Sequence, residues 1–145
     1  MFDVRPFPDE LNRPGVMLDA SALKHVVVLS RSHIYTMEAA GTFPMHLKLG
    51  PCRVAWLLSD VVGWMQAKID ERPSASDVRQ IVVPGDRFVS KKELLTLVPY
   101  AISHISNLEK DKKFPRRVLL SRKRVGWLER EVVEWLWSKK LAPPT

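Results

Sequence analysis

Apolar positions recur at helical spacing in two parts of the chain that share one design. Leu23, Val26 and Val27 fall at i, i+3 and i+4, and so do Leu94, Leu97 and Val98, a spacing that puts each trio on one helix face. Each stripe follows a residue suited to satisfy free amides at a helix start: Asp19 in the first, and in the second Ser90-Lys91-Lys92-Glu93, which has the form of a capping box. A break at Leu29-Ser30 or Pro99-Tyr100 leads to a second helix, predicted around residues 31–40 and 102–110, with Ile34 and Met37 facing the core. Phe43-Pro44 and Phe114-Pro115 end it, because the residue before a proline is pushed out of the helical region. "HLKL" and "RVAW" then flank Gly50-Pro51-Cys52, and "RVLL" and "RVGW" flank Ser121-Arg122-Lys123, each a hairpin with turn chemistry at its tip. A third helix follows, with Val61, Trp64 and Met65, or Val132, Trp135 and Leu136, at i, i+3 and i+4.

The two series are one series written twice. A displacement of 71 positions aligns residues 17–68 with 88–139 without a gap, and about a third of the pairs are identical, which marks an internal duplication. The matches include Ser32-His33-Ile34 with Ser103-His104-Ile105, Glu38 with Glu109, and Trp56 and Trp64 with Trp127 and Trp135. They are mainly apolar, so a repeated core is what they report first. Trp137 has Gln66 as its counterpart and is a candidate for an interface between the units or between chains. Two short helices joined by a tight turn, a hairpin wing and a packing helix make a winged helix-turn-helix. The expected fold is mainly α with small β-hairpin wings: an arm over 1–16, one winged domain over 17–70, a linker over 71–87, a second domain over 88–141 and a tail over 142–145.

Charge changes the picture more than composition does. The chain has a formal net charge of +7, which favours a polyanionic partner. Residues 88–140 carry thirteen basic against six acidic side chains, whereas 17–68 carry five against three, so the positive field belongs to the second half. No apolar run approaches the roughly 20 residues needed to cross a bilayer, and the first residues lack a signal peptide's basic head and apolar stretch. The expectation is a cytoplasmic, nucleoid-associated protein with no membrane contact. The lone Cys52 and four scattered histidines offer no zinc spacing, and no cofactor motif is present, so neither metal nor cofactor is expected.

The stretch "LSRSHIYTMEAAGTFPMHLKLGPCRVAWLLSDVVGWM" resembles the AlpA family of small prophage regulators and excisionase-like proteins, which run Leu-Ser-Arg-Ser-x-Ile-Tyr through Phe-Pro to a final Trp helix. A looser version, "VPYAISHISNLEKDKKFPRRVLLSRKRVGWLEREVVEWL", covers the second copy. Two such domains in one chain depart from the single domain usual in the family. The resemblance implies winged helices of the excisionase/MerR kind and double-stranded DNA as partner, with an integrase or RNA polymerase as possible protein partners.

In a helix-turn-helix the N-terminal turn of the second helix touches base edges. In the first copy this selects Ser30, Arg31, Ser32 and His33, with Tyr35 and Thr36 one turn on; Lys48 and Arg53 belong to its wing. Arg31 is the side chain best suited to a bidentate contact with guanine; the plainer alternative is that Arg31 and His33 are simply solvated. In the second copy Ala101 and Ile102 replace Ser30 and Arg31, leaving Ser103, His104, Ser106 and Asn107 as candidate readers. Around them stand Lys112, Lys113, Arg116 and Arg117, and the wing tip Arg122, Lys123 and Arg124, suited to phosphate. The first copy is thus expected to contribute more base readout and the second more backbone grip. A linker of about fifteen residues, if extended, reaches roughly 50 Å, enough to set the two reading helices one DNA turn, about 34 Å, apart. The chain is accordingly expected to act as a monomer with an internal pseudo-dimer, or as a weak homo-oligomer on DNA.

The leading function is a sequence-specific regulator of a mobile element, acting on transcription or as a recombination directionality factor. The alternative is a DNA-packaging or partner-binding adaptor of the terminase small-subunit type. No phosphate-cradling glycine loop, acid pair or triad speaks for an enzyme.

Overall fold

The computed structural model describes residues 17–73 and 80–141. The arm over 1–16, residues 74–79 of the linker and the tail over 142–145 lie outside the described residues. The element order is β1 (Met17–Leu18), α1 (Ala20–Val27), α2 (Arg31–Ala39), β2 (Leu47–Gly50), β3 (Arg53–Leu57) and α3 (Leu58–Asp70). It then repeats as β4 (Phe88–Val89), α4 (Lys91–Leu97), α5 (Ile102–Lys110), β5 (Val118–Ser121), β6 (Arg124–Leu128) and α6 (Glu129–Leu141). The mainly helical fold with small antiparallel wings is the one the sequence predicts. Asp19 caps α1 through Ala22 N, and Ser90 and Glu93 close a reciprocal capping box on α4.

Each wing has a third strand that no periodicity announces. β1 pairs with β3 and β4 with β6, both antiparallel, so the strand orders are β1-β3-β2 and β4-β6-β5. A two-residue strand is too short to show alternation in sequence. It extends the hairpin into a small sheet that closes over the helices.

The repeated residues build the same core twice. Trp56 donates from Nε1 to Glu38 Oε2 at 3.0 Å, and Trp127 donates to Glu109 Oε1 at 2.9 Å. Trp64 Nε1 bonds the Thr42 carbonyl at 2.9 Å, and Trp135 Nε1 bonds Lys113 at 2.7 Å. Phe43 packs on Trp64 and Phe114 on Trp135, each with ring centroids 4.8 Å apart. Trp56, Trp127, Ile34 and Ile105 are buried. The tryptophans and the Phe of each Phe-Pro pair are therefore structural.

The halves are docked on each other. Phe88, Val118, Leu120 and Leu128 from one face of the second sheet join the core cluster built on Leu23, Val61, Trp64, Met65 and Ile69. The opposite face, through Val89 and Trp127, covers the second half's own helices. Burying each such side chain contributes on the order of 2 kcal/mol, so separating the halves costs several times that. Arg72, just after α3, reaches across to Glu131 on α6 with a two-pronged bridge at 2.8 and 3.2 Å. The far part of the linker is folded down rather than extended: Gln66 holds Gln80 O and Val82 N, Val82 is buried, and Arg130 holds Asp86 and the Ile81 carbonyl. It forms no strand over residues 80–83. Over residues 80–87 the linker is thus held by both halves, through Gln66 on one side and Arg130 on the other.

Candidate nucleic-acid interface

The helix expected to read bases in the first copy is α2. Ser30, in extended backbone geometry, caps it by accepting from His33 N at 3.2 Å. Ile34 and Met37 turn into the core, which leaves Arg31, Ser32 and Thr36 exposed and His33 half-buried. Thr36 is partly occupied, its hydroxyl donating to Ser32 O at 2.9 Å. Tyr35 lies against the His46 and Trp56 rings, with the Arg31 guanidinium 5.9 Å from its centroid. Tyr35 therefore acts as a platform that holds Arg31 over the surface. Ahead of the helix, Val28 takes φ 52° and ψ 35°, a left-handed conformation unusual for a β-branched residue. It bends the chain sharply enough to bring the α2 N-terminus beside α1.

Its counterpart in the second copy, α5, begins at Ala101 with no side-chain cap, and Ile102 packs on the core. Ser103, His104 and Asn107 are exposed, although His104 stacks edge-on with Tyr100 at 4.5 Å. Ser106 is half-buried and accepts from Arg117 Nη2 at 3.0 Å. Arg117 is also paired with Glu109 at 2.9 Å and lies over Trp127, so this cation is committed to the fold. Arg116 donates to the Pro73 carbonyl at 3.1 Å, fastening the halves. Lys112 and Lys113 are exposed beyond the helix end, Lys112 with φ 58°. Of the basic residues around α5, two are thus anchors and two face solvent.

The wing tips differ as their sequences do. Pro51, Cys52 and Arg53 are exposed in the first, with Lys48 on β2; Arg122, Lys123 and Arg124 are exposed in the second. The second wing stands beside the first copy. Lys123 and Arg124 line a cleft of about 780 Å³ whose other wall is Lys24, His25, Val28 and Ser30 of the first copy. Its floor includes Arg87 and the start of α4, with Lys91 and Lys92. Arg87 is neutralised there by Glu93 and Glu129 and donates to His25 O at 3.2 Å. Lys24, Lys91, Lys92, Lys123 and Arg124 make no ion pair among the described residues. Five cations without an ion pair among the described residues therefore line the cleft that Ser30, the cap of α2, also borders.

Lys24, Lys91 and Lys92 were not among the residues that the sequence singles out. A signal for two of them exists: Lys91 and Lys92 occupy the first turn of α4, where the helix dipole disfavours cations. Lys24 carries no such mark, because only the docking of the halves places it opposite the second wing.

The family described as prophage CP4-57 regulatory protein (AlpA) matches the chain twice, at residues 18–69 and at 87–141. The chain belongs to the AlpA family. Each match coincides with one copy of the duplicated unit. It is also 38% identical over 72 residues to the uncharacterized protein ORF88 of Enterobacteria phage P4, an alignment spanning 50% of this chain and 80% of that protein. This AlpA-family chain is accordingly a regulatory protein of phage or prophage kind. Among its described residues no helix is long and apolar enough to cross a membrane.

Proposed function

We propose that the chain binds double-stranded DNA sequence-specifically and regulates a mobile element, either at a promoter or as a directionality factor beside a recombinase. The observation that carries this reading is the cleft joining the Ser30-capped start of α2 to Lys123 and Arg124 of the second wing. Arg31 and Ser32, exposed at that helix start, meet base edges in the major groove. The second wing and the lysines of α4 lie on phosphates or in the adjacent minor groove, where narrow A·T-rich tracts attract arginine. Readout and grip thus come from different copies, and the docked core holds them in register. Selection of bound duplexes from a random pool at physiological salt tests this. An enriched motif is expected, and recovery of no preferred sequence would contradict it. A promoter reporter run beside an excision assay then separates the two regulatory roles.

A further inference from the structure

The docking of the two halves buries a surface on each, and the duplication leaves a second version of both surfaces open. On the second sheet, Phe88, Val118 and Leu120 are each 0% exposed because α1 and α3 of the first half cover them. Their counterparts on the first sheet, Met17, Leu47 and Leu49, are 39%, 39% and 56% exposed. The covering stripe on α3 is Met65 and Ile69, at 0% and 4%. On α6 the positions matching Met65 and Ile69 are Leu136, half-buried, and Lys140; beside them Val133 and Trp137, the counterparts of Val62 and Gln66, are 50% and 57% exposed. Trp137 therefore does not lie between the two halves.

We infer that a second copy of this chain docks head to tail, its first sheet (Met17, Leu47, Leu49) seated on the open face of its neighbour's α6 (Val133, Leu136, Trp137), a contact of the same kind as the one that joins α3 to the second sheet within one chain but shifted round the helix, since of these three only Leu136 matches a residue of the α3 stripe. The internal interface identifies the occupant: it shows that the third helix of this unit is what covers a sheet face of this kind. Sheet on helix is a heterologous contact, so it does not close on itself and builds open chains rather than a closed dimer. Two features make the contact between chains weaker than the internal one. Ile69 is matched by Lys140, whose ammonium lies 4.9 Å from the Trp137 ring centroid. Arg72, which clasps Glu131, is matched in sequence by Pro143, so no equivalent clasp to Asp60 forms. Association is therefore concentration-dependent. It requires no DNA, so it stands or falls separately from the proposed function.

Sedimentation velocity on the full chain over a range of concentrations tests it, with Leu49→Asp and Trp137→Asp as variants at exposed positions on the two surfaces. The wild type is expected to grow in weight-average mass with concentration, and each variant alone to remain monomeric or nearly so. An equimolar mixture of the two variants retains one intact sheet face and one intact α6 stripe, and should yield dimers but nothing larger. Leu49→Cys mixed with Trp137→Cys, both in a Cys52→Ser background, should form a disulfide-linked heterodimer in preference to either homodimer. A wild type that stays monomeric throughout, a single variant that still dimerises, or a mixture that fails to recover dimers would each overturn the inference.

Discussion

At the scale of single residues, Glu38 and Glu109 show how much a repeat reports and where it stops. Sequence marks them as identical, but one glutamate in a helix has no periodicity that reveals its use. Both are buried acceptors: Glu38 serves Trp56 Nε1, His46 N and the His46 ring, and Glu109 serves Trp127 Nε1 and Arg117. Losing a hydrogen bond to a charged group, with its buried partner left unsatisfied, costs about 2–3 kcal/mol. Glu38→Ala and Glu109→Ala should each lower the urea midpoint by that equivalent. A midpoint within error of wild type would show that these acceptors are dispensable. Arg117 makes the opposite point: in sequence it resembles every other cation near the second wing, and only its three partners reveal that it belongs to the core.

At the scale of elements, helices, hairpins and caps were legible because each has a local physical signature. The two-residue strands β1 and β4 were not, since pairing with β3 and β6 depends on residues some forty positions away. The matching helices α2 and α5 offer a controlled comparison of capping. Ser30 and Ala101 have nearly the same backbone, φ −69° and ψ 156° against φ −70° and ψ 151°, but only Ser30 supplies a side-chain acceptor. Ala101→Ser should therefore stabilise the protein by up to about 1 kcal/mol, and Ser30→Ala should destabilise it by a similar amount. Thermal unfolding of the two variants checks both signs. On the proposed function, Arg122, Lys123 and Arg124 at the second wing contact phosphates, each worth about 0.9 in the slope of log affinity against log salt. Their joint replacement by alanine should flatten that slope by roughly 2–3 and weaken binding to all sequences. Arg31→Ala should instead relax sequence preference with little change in slope.

At the scale of the whole molecule, the duplication was readable and the docking was not. Val118 and Leu120 look in sequence like Leu47 and Leu49, and nothing local says that one pair is covered and the other open. The end of the linker and the start of the second half are held partly by carboxylates. Burial pushes the Asp86 carboxyl up, but the hydrogen bonds and charge of Arg130, with the Val83 amide, outweigh it and hold the group below its ordinary value. The same balance, with Arg87 in the place of Arg130, holds Glu93 below its own. A carboxylate lowered on folding contributes stability that is fully present above the ordinary range, about pH 4. It is lost as pH falls through the folded value. Stability should therefore be flat above about pH 5 and decline below pH 4, and Asp86→Asn should start lower at neutral pH and decline less. Urea titrations at both pH values decide this; equal pH dependence in the two proteins would remove Asp86 from the account.

The central claim is that α2 and the second wing act on one stretch of duplex as a single docked surface. Affinity cleavage measures this directly: Cys52→Ser removes the only cysteine, and a DNA-cutting reagent is attached to Cys introduced at Ser32 or at Arg122, with binding to a selected duplex. Cuts from the two positions centred within one helical turn, roughly 10 base pairs, are predicted; cuts separated by more than a turn would contradict the account.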